Sequence, residues 1–564
     1  MGEWTGGNLL CFGDNLTFLQ DRALFGDECV DLIYLDPPFN SQQSYNVLFK
    51  EIAGTPSAAQ IKAFEDTWSW DQEANKALSQ IHTDPAVPAP FVDLMKTFMN
   101  FLRPSPMLAY LVQMAVRLVH MHRVLKKTGT LYLHCDPTAS HYLKLILDGI
   151  FGPRRFANEI VWERTTGRKG GRQFGRVHDT LLLYTKSDEW TWNPPSVPQD
   201  PLTARGHDIL TDKDGRRYRL SDLTGAGQGP ARIFGGESVN PPTGRHWQYD
   251  QEGIDRLWNE GRVVFSSAGK PRLKTYLDQL SGVAVRDVWS DIQPINASAA
   301  ERMGYPTQKP LGLLKRIVTA SSSAGDVILD PFCGCGTTID AVETLNREGK
   351  RRKKRVWIGI DITHIAINLI KMRLNRFRPP PAYQTIGEPQ TLTEAAVLAR
   401  TEPYQFQFWA LGLIGARSIG QTKRKGADRG IDGVRYFLDE QKAGAMVTKR
   451  MLVQVKGGHV KSGDIRDFVG ALSREGAELG AFITLEGPTQ PMKAEAASAG
   501  MYTSPWDKRP YPKVQVLTIE ELLADPSKPN PRCLMIPGGV SDQHTLPEAP
   551  RHIGHSTRQG RLVL

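Results

Sequence analysis

Four short apolar segments that each end in an aspartate dominate the hydrophobic pattern of this chain. A buried strand of a parallel sheet has a continuous run of apolar residues rather than an alternation of apolar and polar ones. The four segments are residues 30–36, 130–136, 326–330 and 356–361. Residues 107–125 carry apolar side chains at three- and four-residue spacing, which predicts a helix. Strands that alternate with helices predict an open α/β sheet whose ligands bind at the carboxyl ends of its strands.

The pattern changes twice outside these segments. Residues 190–300 are rich in Gly, Pro, Arg and Trp and show poorly defined strands, which predicts an insertion. Three consecutive prolines at 379–381 predict a linker, and a second α/β pattern follows them. The last residues are polar with little periodicity, so we expect a poorly ordered tail. The predicted segments are a first half-domain at 1–189, an insertion at 190–300, the second half-domain at 301–378, a linker at 379–399, a second domain at 400–525 and a tail at 526–564.

The charge of the chain suits a polyanionic partner. Its 564 residues include 70 Lys and Arg against 60 Asp and Glu, a formal net charge of +10. Phosphate contacts supply much of the affinity of proteins for nucleic acid, although many proteins are mildly basic. The six cysteines show no CxxC spacing, which argues against disulfides and a zinc cluster. Because we find no signal peptide and no apolar run of about 18 residues, we expect a soluble, cytoplasmic protein without membrane contact.

A loop with two glycines follows the third apolar segment. Its sequence is Asp330-Pro331-Phe332-Cys333-Gly334-Cys335-Gly336-Thr337-Thr338. Glycines between a strand and a helix let the backbone approach a bulky ligand closely. Asp361 ends the next segment, where a carboxylate can accept hydrogen bonds from ribose hydroxyls. This pattern predicts a nucleoside cofactor. The GxGxxG spacing typical of nicotinamide binding is missing, and an ordinary tight turn stays open as an alternative.

The segment Asp36-Pro37-Pro38-Phe39, at the end of the first apolar run, indicates a second chemistry. The lone pair of an exocyclic base amine is delocalised into the ring, so the nitrogen is a poor nucleophile. Asp36 can accept one N–H bond and the Pro37 carbonyl the other, which favours a more tetrahedral nitrogen with its lone pair freed. Phe39 offers a stacking face for a base rotated out of the duplex. An acid before an ordinary Pro-Pro loop is the alternative.

These two segments resemble those of the DNA amino-methyltransferases, a family with a Rossmann-like sheet and a D/N/S-P-P-Y/F catalytic loop. Here the catalytic loop precedes the glycine loop by about 290 residues. That order resembles the permuted β group, which includes the modification subunits of type III restriction systems. The resemblance covers roughly residues 8–375. It implies an S-adenosylmethionine-dependent methyltransferase with a target-recognition region at 190–300.

The resemblance also implies roles for individual residues. Asp36 to Phe39 would hold the target base, and His178-Asp179-Thr180 resemble the start of the strand that closes its pocket. We expect His134 and Cys135 only to pack. The residues expected to bind S-adenosylmethionine are Asp14, Thr307, Lys309, Asp330, Phe332, Gly334, Gly336, Thr337 and Asp361.

The sequence defines the type of reaction more closely than it defines the atom that is methylated. In the family that this chain resembles, a loop beginning with Asp usually accompanies adenine N6, and one beginning with Ser accompanies cytosine N4. We therefore predict adenine N6 and keep cytosine N4 as the alternative. Cytosine C5 methylation needs a Pro-Cys nucleophile, and the chain has no such pair. RNA and protein glutamine stay open as substrates, although the large insertion favours DNA.

The second domain carries a pattern typical of a metal-dependent nuclease. Asp432 is followed about 20 residues later by Gln454 and Lys456. Asp432, the Gln454 amide oxygen and the Val455 carbonyl could bind a hard cation such as Mg²⁺, while Lys456 polarises the attacking water. The pattern resembles Mrr-like restriction nucleases of the PD-(D/E)xK superfamily over residues 400–525. Such short patterns also arise by chance.

The sequence thus predicts a two-headed restriction-modification protein that methylates adenine in double-stranded DNA and cuts, or formerly cut, DNA. One rival is a modification enzyme whose nuclease-like domain only binds DNA. A second rival is a DNA-binding protein with a decayed active site. Restriction or defence partner subunits, and a homodimer, stay open.

Overall fold

The computed structural model of the protein describes most of the chain. The described residues are 4–38, 70–85, 87–165, 174–197, 209–279, 283–296, 299–349, 353–419, 430–442, 445–524 and 533–537. Phe39 of the candidate catalytic loop lies outside them. The chain divides into two compact units, one of residues 1–193 with 287–564 and one of residues 194–286.

The described residues up to 193 form the first part of the larger unit. The strands are β1 (Leu9–Phe12), β2 (Val30–Leu35), β3 (Leu125–Cys135), β4 (Phe156–Glu163) and β5 (His178–Thr185). The helices are α1 (Asn15–Gln20), α2 (Gln72–Thr83), α3 (Ala89–Leu102), α4 (Pro106–Val124) and α5 (Ser140–Phe151), with a 3-10 turn at Pro153–Arg155. The helix predicted over 107–125 is therefore confirmed as α4. It begins after Ser105, whose hydroxyl accepts the backbone N–H of Leu108.

The smaller unit is built from short strands around a core of its own. They are β6 (Ser196–Val197), β7 (Ile209–Thr211), β8 (Arg217–Asp222), β9 (Thr224–Ala226), β10 (Arg232–Phe234), β11 (Glu237–Val239), β12 (Arg245–Trp247), β13 (Val263–Phe265), β14 (Pro271–Tyr276) and β15 (Val283–Ala284), with helix α6 (Gln251–Asn259) and a 3-10 turn at Leu277–Gln279. Phe234, Trp247 and Ile254 lie in its core. Strands of two to six residues carry little periodicity, which explains why the sequence did not reveal them.

The described residues from 287 onward complete the larger unit. The strands are β16 (Val288–Trp289), β17 (Val327–Asp330), β18 (Val356–Asp361), β19 (Gln384–Ile386), β20 (Arg417–Ser418), β21 (Gly433–Lys442), β22 (Ala445–Lys456), β23 (Leu479–Thr484), β24 (Met501–Thr503), β25 (Pro510–Pro512) and β26 (Val514–Thr518). The helices are α7 (Leu311–Ser321), α8 (Thr337–Glu348), α9 (His364–Asn375), α10 (Leu392–Thr401), α11 (Pro403–Leu413), α12 (Ser462–Glu475), α13 (Gln490–Ser498) and α14 (Ile519–Ala524). In the described part of the chain, no helix is long and apolar enough to cross a membrane.

A nine-stranded sheet forms the centre of the larger unit. Its order is β16-β4-β5-β3-β2-β17-β18-β1-β19. β5 runs antiparallel to both of its neighbours and the remaining pairs are parallel. The four apolar segments of the sequence are β3, β2, β17 and β18, which lie next to one another and are almost completely buried. The predicted open α/β sheet is confirmed.

Two strands of this sheet come from segments that the sequence assigned elsewhere. β16 pairs with β4 although it lies inside the predicted insertion at 190–300. β19 pairs with β1 although it lies inside the predicted linker at 379–399. Both strands are only two or three residues long, and neither has the apolar run that marks the central strands. Sheets often end in very short edge strands, which are too short to carry a clear hydrophobic pattern.

A second sheet, in the order β20-β21-β22-β23-β26, forms the C-terminal part. β21 and β22 make an antiparallel hairpin, and β23 and β26 continue from β22 in parallel. Part of the predicted tail belongs to this fold, because Leu534 is buried in the core of the domain. The backbone of Met535 exchanges two hydrogen bonds with the amide of Gln515, at 2.6 and 2.8 Å.

Candidate active sites

The two candidate loops of the first domain lie side by side at one edge of the nine-stranded sheet. β2 and β17 are adjacent, with Ile33 opposite Leu329. Because the two strands are parallel, their carboxyl ends reach the same edge. Asp36 follows β2 at this edge, and Asp330 ends β17. Loops about 290 residues apart in the sequence thus become neighbours.

The glycines of the second loop adopt backbone conformations that other residues rarely reach. The φ angles of Gly334 and Gly336 are +50° and +76°. A Cβ atom at Gly336 would lie 2.6 Å from Cγ1 of Ile370, and one at Gly334 would lie 3.2 Å from Cε1 of Tyr305. The two glycines therefore let the loop turn tightly and pack against Ile370 and Tyr305 more closely than a side chain would allow.

Asp361 ties the end of β18 to both neighbouring loops. One carboxylate oxygen accepts the N–H of Gly334 at 2.9 Å, and the other accepts the N–H of Thr363 at 2.9 Å. The Asp361 carbonyl accepts the N–H of Gly13, also at 2.9 Å. Loss of water around the carboxyl raises the pKa of Asp361 to about 6, against the opposing effect of these backbone hydrogen bonds.

Asp330 holds the shape of the glycine loop from inside. Its side chain is buried, and its carboxylate accepts the N–H of Phe332 at 3.2 Å and the hydroxyl of Thr338. Burial raises the pKa of Asp330 to about 7. Thr337 is buried at the first position of α8. The carboxylate of Asp330 therefore stabilises the loop from within. The half-buried Phe332 is the large side chain at the surface of the loop.

Asp14 lies beside this loop, and its carboxylate is bound within the protein. It accepts the N–H of Leu16 at 2.9 Å and two hydrogen bonds from Arg117, at 2.9 and 3.1 Å. Arg117 also donates to the amide oxygen of Asn15 at 2.8 Å, and the Asn15 amide donates to the Pro331 carbonyl at 2.7 Å. Arg117 thus connects the loop after β1 with the glycine loop.

Asp36 of the catalytic loop forms an ion pair with Lys309. Both side chains are mostly buried, with 15% and 12% of their surface exposed. The sequence assigned Lys309 to the cofactor, whereas the structure places its ammonium on the carboxylate proposed to hold the base. Thr307 lies two residues before Lys309, between β16 and α7. Pro37 and Pro38 are described and Phe39 is not, so the structure does not test the stacking role of Phe39.

A chain of buried polar side chains lies on the same part of the sheet. The Tyr34 hydroxyl is 2.9 Å from Nδ1 of His134, and Nε2 of His134 is 3.3 Å from Oδ2 of Asp179. The other oxygen of Asp179 is 3.2 Å from Nε of Arg164. We call Tyr34, His134 and Asp179 the buried polar chain; the side chain of Arg164, which contacts its end, is 46% exposed. The expectation that His134 only packs is therefore wrong, because both ring nitrogens face polar partners. Cys135 is buried as expected.

The second candidate site lies on the hairpin of the C-terminal sheet. The Asp432 N–H donates to the Val453 carbonyl at 2.9 Å, and the Asp432 carboxylate accepts the N–H of Val455 at 2.7 Å. A Cβ at Gly430 would lie 3.3 Å from the Gln454 side-chain nitrogen, so the turn before Asp432 passes close to Gln454. Gln454 and Lys456 point to the same face of β22, because side chains alternate along a strand.

These residues supply oxygen donors, which suit a hard cation such as Mg²⁺. The described residues contain no group of three or more His, Cys, Asp or Glu side chains arranged to hold a metal ion. The oxygen donors at this position are the Asp432 carboxylate, the Gln454 amide and the backbone carbonyl of Val455. The donor set fits the cation in its chemistry, with one carboxylate as its only charged member.

Comparison with known families decides the class of the first domain. A family model described as DNA methylase matches residues 30–372, more than half of the chain. The chain belongs to the DNA methylase family. Both loops of the first site lie inside the matched range. A second family model, described as restriction endonuclease, matches residues 398–507 of this DNA methylase, and this range contains the hairpin site. The predicted combination of a methyltransferase with an Mrr-like domain is confirmed.

Relatives of this DNA methylase include type II and type III enzymes. The type II methyltransferase M.EcaI of Enterobacter cloacae is 34% identical over 275 residues, which cover 48% of this chain and 59% of the relative. The type II methyltransferase M.KpnI of Klebsiella pneumoniae is 26% identical, with 63% of this chain and 82% of the relative covered. The Mod subunit of the type III enzyme StyLTI of Salmonella typhimurium is 23% identical, with 63% and 52% covered. The match therefore spans little more than half of M.EcaI and of the Mod subunit.

Solved structures that match part of this chain include the M1.HpyAVI–SAM complex, which is 14% identical. It covers 65% of this chain and 99% of its own, with a TM-score of 0.30. The PvuII cytosine-N4-specific DNA methyltransferase is 10% identical, covers 73% and 96%, and has a TM-score of 0.34.

Sequence reasoning missed three residues of the DNA methylase site. Arg117 is a strongly basic side chain in the interior of α4, where apolar residues surround it in the sequence, and this contrast was a usable signal. Thr338 is the last residue of the predicted loop and was given no role, although its hydroxyl donates to the Asp330 carboxylate. His134 carried no signal of its own, because its partners come from β2 and β5.

Proposed function

We propose that this chain transfers the methyl group of S-adenosylmethionine to an exocyclic amino nitrogen in double-stranded DNA, with adenine N6 as its target. The observation that carries the proposal is the adjacency of β2 and β17, which brings the Asp36 loop beside the glycine loop. The family match supports the same class of reaction.

The residues around the glycine loop fit the proposed cofactor. Gly334 and Gly336 leave the backbone of the loop without side chains, and the carboxylate of Asp361 can accept hydrogen bonds from the ribose hydroxyls. Phe332 offers an apolar surface at the same edge. We assign Asp330 and Thr337 to the support of this site, since their side chains are buried. Asp14, whose side chain is 44% exposed, is proposed to contact the cofactor directly. Thr307 and Lys309 would approach it from the segment before α7.

S-adenosylmethionine supplies a methyl group on a positively charged sulfur, which needs no metal for activation. Asp36 would accept one N–H of the base amine and the Pro37 carbonyl the other, leaving the lone pair free to attack. As the N–C bond forms and the C–S bond breaks, the amine loses one proton, which Asp36 accepts and passes to water. Alignment and electrostatics then account for the catalysis.

The target atom rests on the loop that begins with Asp36. Adenine N6 and cytosine N4 need the same acceptor geometry, so the structure favours neither on its own. Cytosine N4 remains the second candidate. Phe39 is proposed as the stacking residue for the extruded base, and residues 194–286 as the unit that recognises the DNA sequence.

The decisive experiment is labelled methyl transfer to double-stranded DNA, followed by digestion to nucleosides and mass spectrometry. N6-methyladenine is the expected product. N4-methylcytosine would keep the reaction class and correct the base. No labelled product with DNA of any sequence, in protein that binds S-adenosylmethionine, would overturn the proposal.

A second activity is favoured by the hairpin geometry and by the restriction endonuclease match. We propose that Asp432 and Gln454 hold Mg²⁺ and that Lys456 orients the water that attacks a DNA phosphodiester. The rival is a domain that only binds DNA. To separate the two alternatives, unmethylated DNA is incubated with the full chain, with and without Mg²⁺ and with candidate restriction subunits. Cleavage that needs Mg²⁺ supports the nuclease.

Light scattering of the same preparations shows whether the chain forms a homodimer.

A further inference from the structure

The buried polar chain has no role in the function proposed so far. Tyr34, His134 and Asp179 are each at most 2% exposed, and they connect three adjacent strands, β2, β3 and β5. Polar side chains at such depth are costly unless they are hydrogen-bonded. Tyr34 lies two residues before Asp36. Because side chains alternate along a strand, the chain lies under the face from which Asp36 leaves β2.

The hydrogen bond between His134 and Asp179 has a defined direction. Burial alone would raise the pKa of Asp179, but the hydrogen bond from His134 and the charges of His134, Lys309 and Arg164 lower it. An ionised Asp179 can only accept, so Nε2 of His134 carries a proton. The pKa of Tyr34 is raised chiefly by burial, so its hydroxyl stays protonated and shares a hydrogen bond with Nδ1 of His134.

We propose that the buried polar chain consists of positioning residues for methyl transfer. The two hydrogen bonds fix the end of β2, from which Asp36 projects. The negative charge of Asp179 also interacts electrostatically with the ammonium of Lys309. This inference rests on the proposed methyl transfer and extends it to residues that do not touch the base.

The Asp36–Lys309 ion pair explains why positioning residues are needed at this site. Lys309 binds one oxygen of the Asp36 carboxylate, so the base amine would donate to a carboxylate that an ammonium already contacts. Only 12% of the Lys309 side chain is exposed, so water screens this ammonium poorly. The charge of Asp179 offsets part of the ammonium charge, while the anchored end of β2 keeps Asp36 in place.

The test measures the single-turnover rate of methyl transfer, with saturating S-adenosylmethionine, in Tyr34→Phe and Asp179→Asn. Tyr34→Phe removes one hydroxyl, and Asp179→Asn removes a charge at constant size. We expect the rate to fall about tenfold or more in each, because small displacements of a catalytic group are costly. The KM for DNA and the Kd for S-adenosylmethionine should stay within twofold of the unaltered chain.

Tyr132→Phe is a matched control. Tyr132 lies opposite Tyr34 on β3, is equally buried, and its hydroxyl bonds that of Ser321 at 2.7 Å. A structural effect of losing a buried tyrosine hydroxyl would appear in both variants. A positioning effect would appear in Tyr34→Phe alone.

Methylation by the unaltered chain establishes the proposed function separately from this inference. The positioning role is overturned if Tyr34→Phe keeps its rate within twofold, or if Tyr132→Phe loses as much rate as Tyr34→Phe. If Asp179→Asn does not fold, the comparison of Tyr34→Phe with Tyr132→Phe still tests the positioning role.

Discussion

The Asp36–Lys309 ion pair is the feature at the scale of single residues that bears on the proposed reaction. In the structure, Lys309 holds Asp36 in a mostly buried ion pair. The carboxylate is thereby kept in place before DNA arrives. In the proposed reaction, the base amine donates to the Asp36 carboxylate. We therefore expect Asp36 to be required for the chemical step, and the glycine loop and Asp361 to be required for cofactor binding.

Asp36→Ala should reduce methyl transfer by about a hundredfold to a thousandfold, because the amine loses its charged acceptor. The Kd for S-adenosylmethionine should stay within about twofold, since Asp36 lies on the neighbouring loop. Filter binding of labelled cofactor and a methylation time course measure the two quantities in one preparation. A variant with normal turnover would refute the role of Asp36.

Gly336→Ala should show the opposite phenotype. A Cβ there would lie 2.6 Å from Ile370, in a left-handed conformation that costs an L-residue about 1–2 kcal/mol. We expect the loop to shift and the Kd for S-adenosylmethionine to rise about tenfold or more. Gly26→Ala is the control, because no atom lies within 4 Å of its Cβ position. Equal affinities of the two variants would argue against the close approach of the loop.

The pH dependence of cofactor binding should report Asp361. Its pKa of about 6 lies above the ordinary value of 3.8, so the carboxyl takes up a proton as the pH falls through 6. A neutral carboxyl accepts hydrogen bonds from ribose hydroxyls less strongly. The Kd should therefore rise up to about tenfold per unit below about pH 6, while Asp330, whose pKa is about 7, adds a dependence near neutral pH that Asp361→Asn leaves in place. Calorimetry from pH 5 to 8 measures it, and Asp361→Asn should flatten the profile below about pH 6.

At the scale of elements, the sequence predicted the central strands of the nine-stranded sheet and missed the strands at its edges. β3, β2, β17 and β18 were visible because central parallel strands are continuous apolar runs. β19 was not, because its three residues carry no such run. The pairing of distant loops was predicted only through a family resemblance. Side-chain partners such as Arg117 with Asp14 depend on tertiary contacts that no local pattern encodes.

The packing of α9 against α11 yields a prediction at this scale. Gln405 of α11 is buried, and its amide accepts the N–H of His364 at 3.1 Å and donates to the Ile362 carbonyl at 3.2 Å. Gln405→Ala leaves two backbone groups unpaired and should lower the free energy of unfolding by about 1–3 kcal/mol. Gln407→Ala, at a half-buried position on the same helix, should change it by less than about 0.5 kcal/mol. Urea unfolding compares the two; equal midpoints would contradict the role of Gln405.

At the scale of the whole molecule, two candidate sites lie on two different sheets. Asp36 follows a strand of the nine-stranded sheet, and Asp432 precedes the hairpin of the five-stranded sheet. Their chemistries share no residue. Each activity should therefore be removable without the other.

Asp432→Ala should abolish Mg²⁺-dependent cleavage and leave methyl transfer within about twofold, because it removes the single charged donor of the metal site. Asp36→Ala should do the reverse. Each variant is measured for both methyl transfer and cleavage, with the same unmethylated DNA. Loss of both activities in either variant would show that the two sites are not independent.

The position of β19 bears on how such a protein can be divided or recombined. The three prolines look like a natural breakpoint, yet the strand that follows them completes the outer side of β1. A cut at residue 379 would strip the methylase of that strand and leave the backbone of β1 exposed to unwanted pairing with other chains. Exchange of the endonuclease-like domain for another effector would be tolerated better after Glu388, whose buried carboxylate pairs with Lys371 of α9, and before Thr391, the cap of α10.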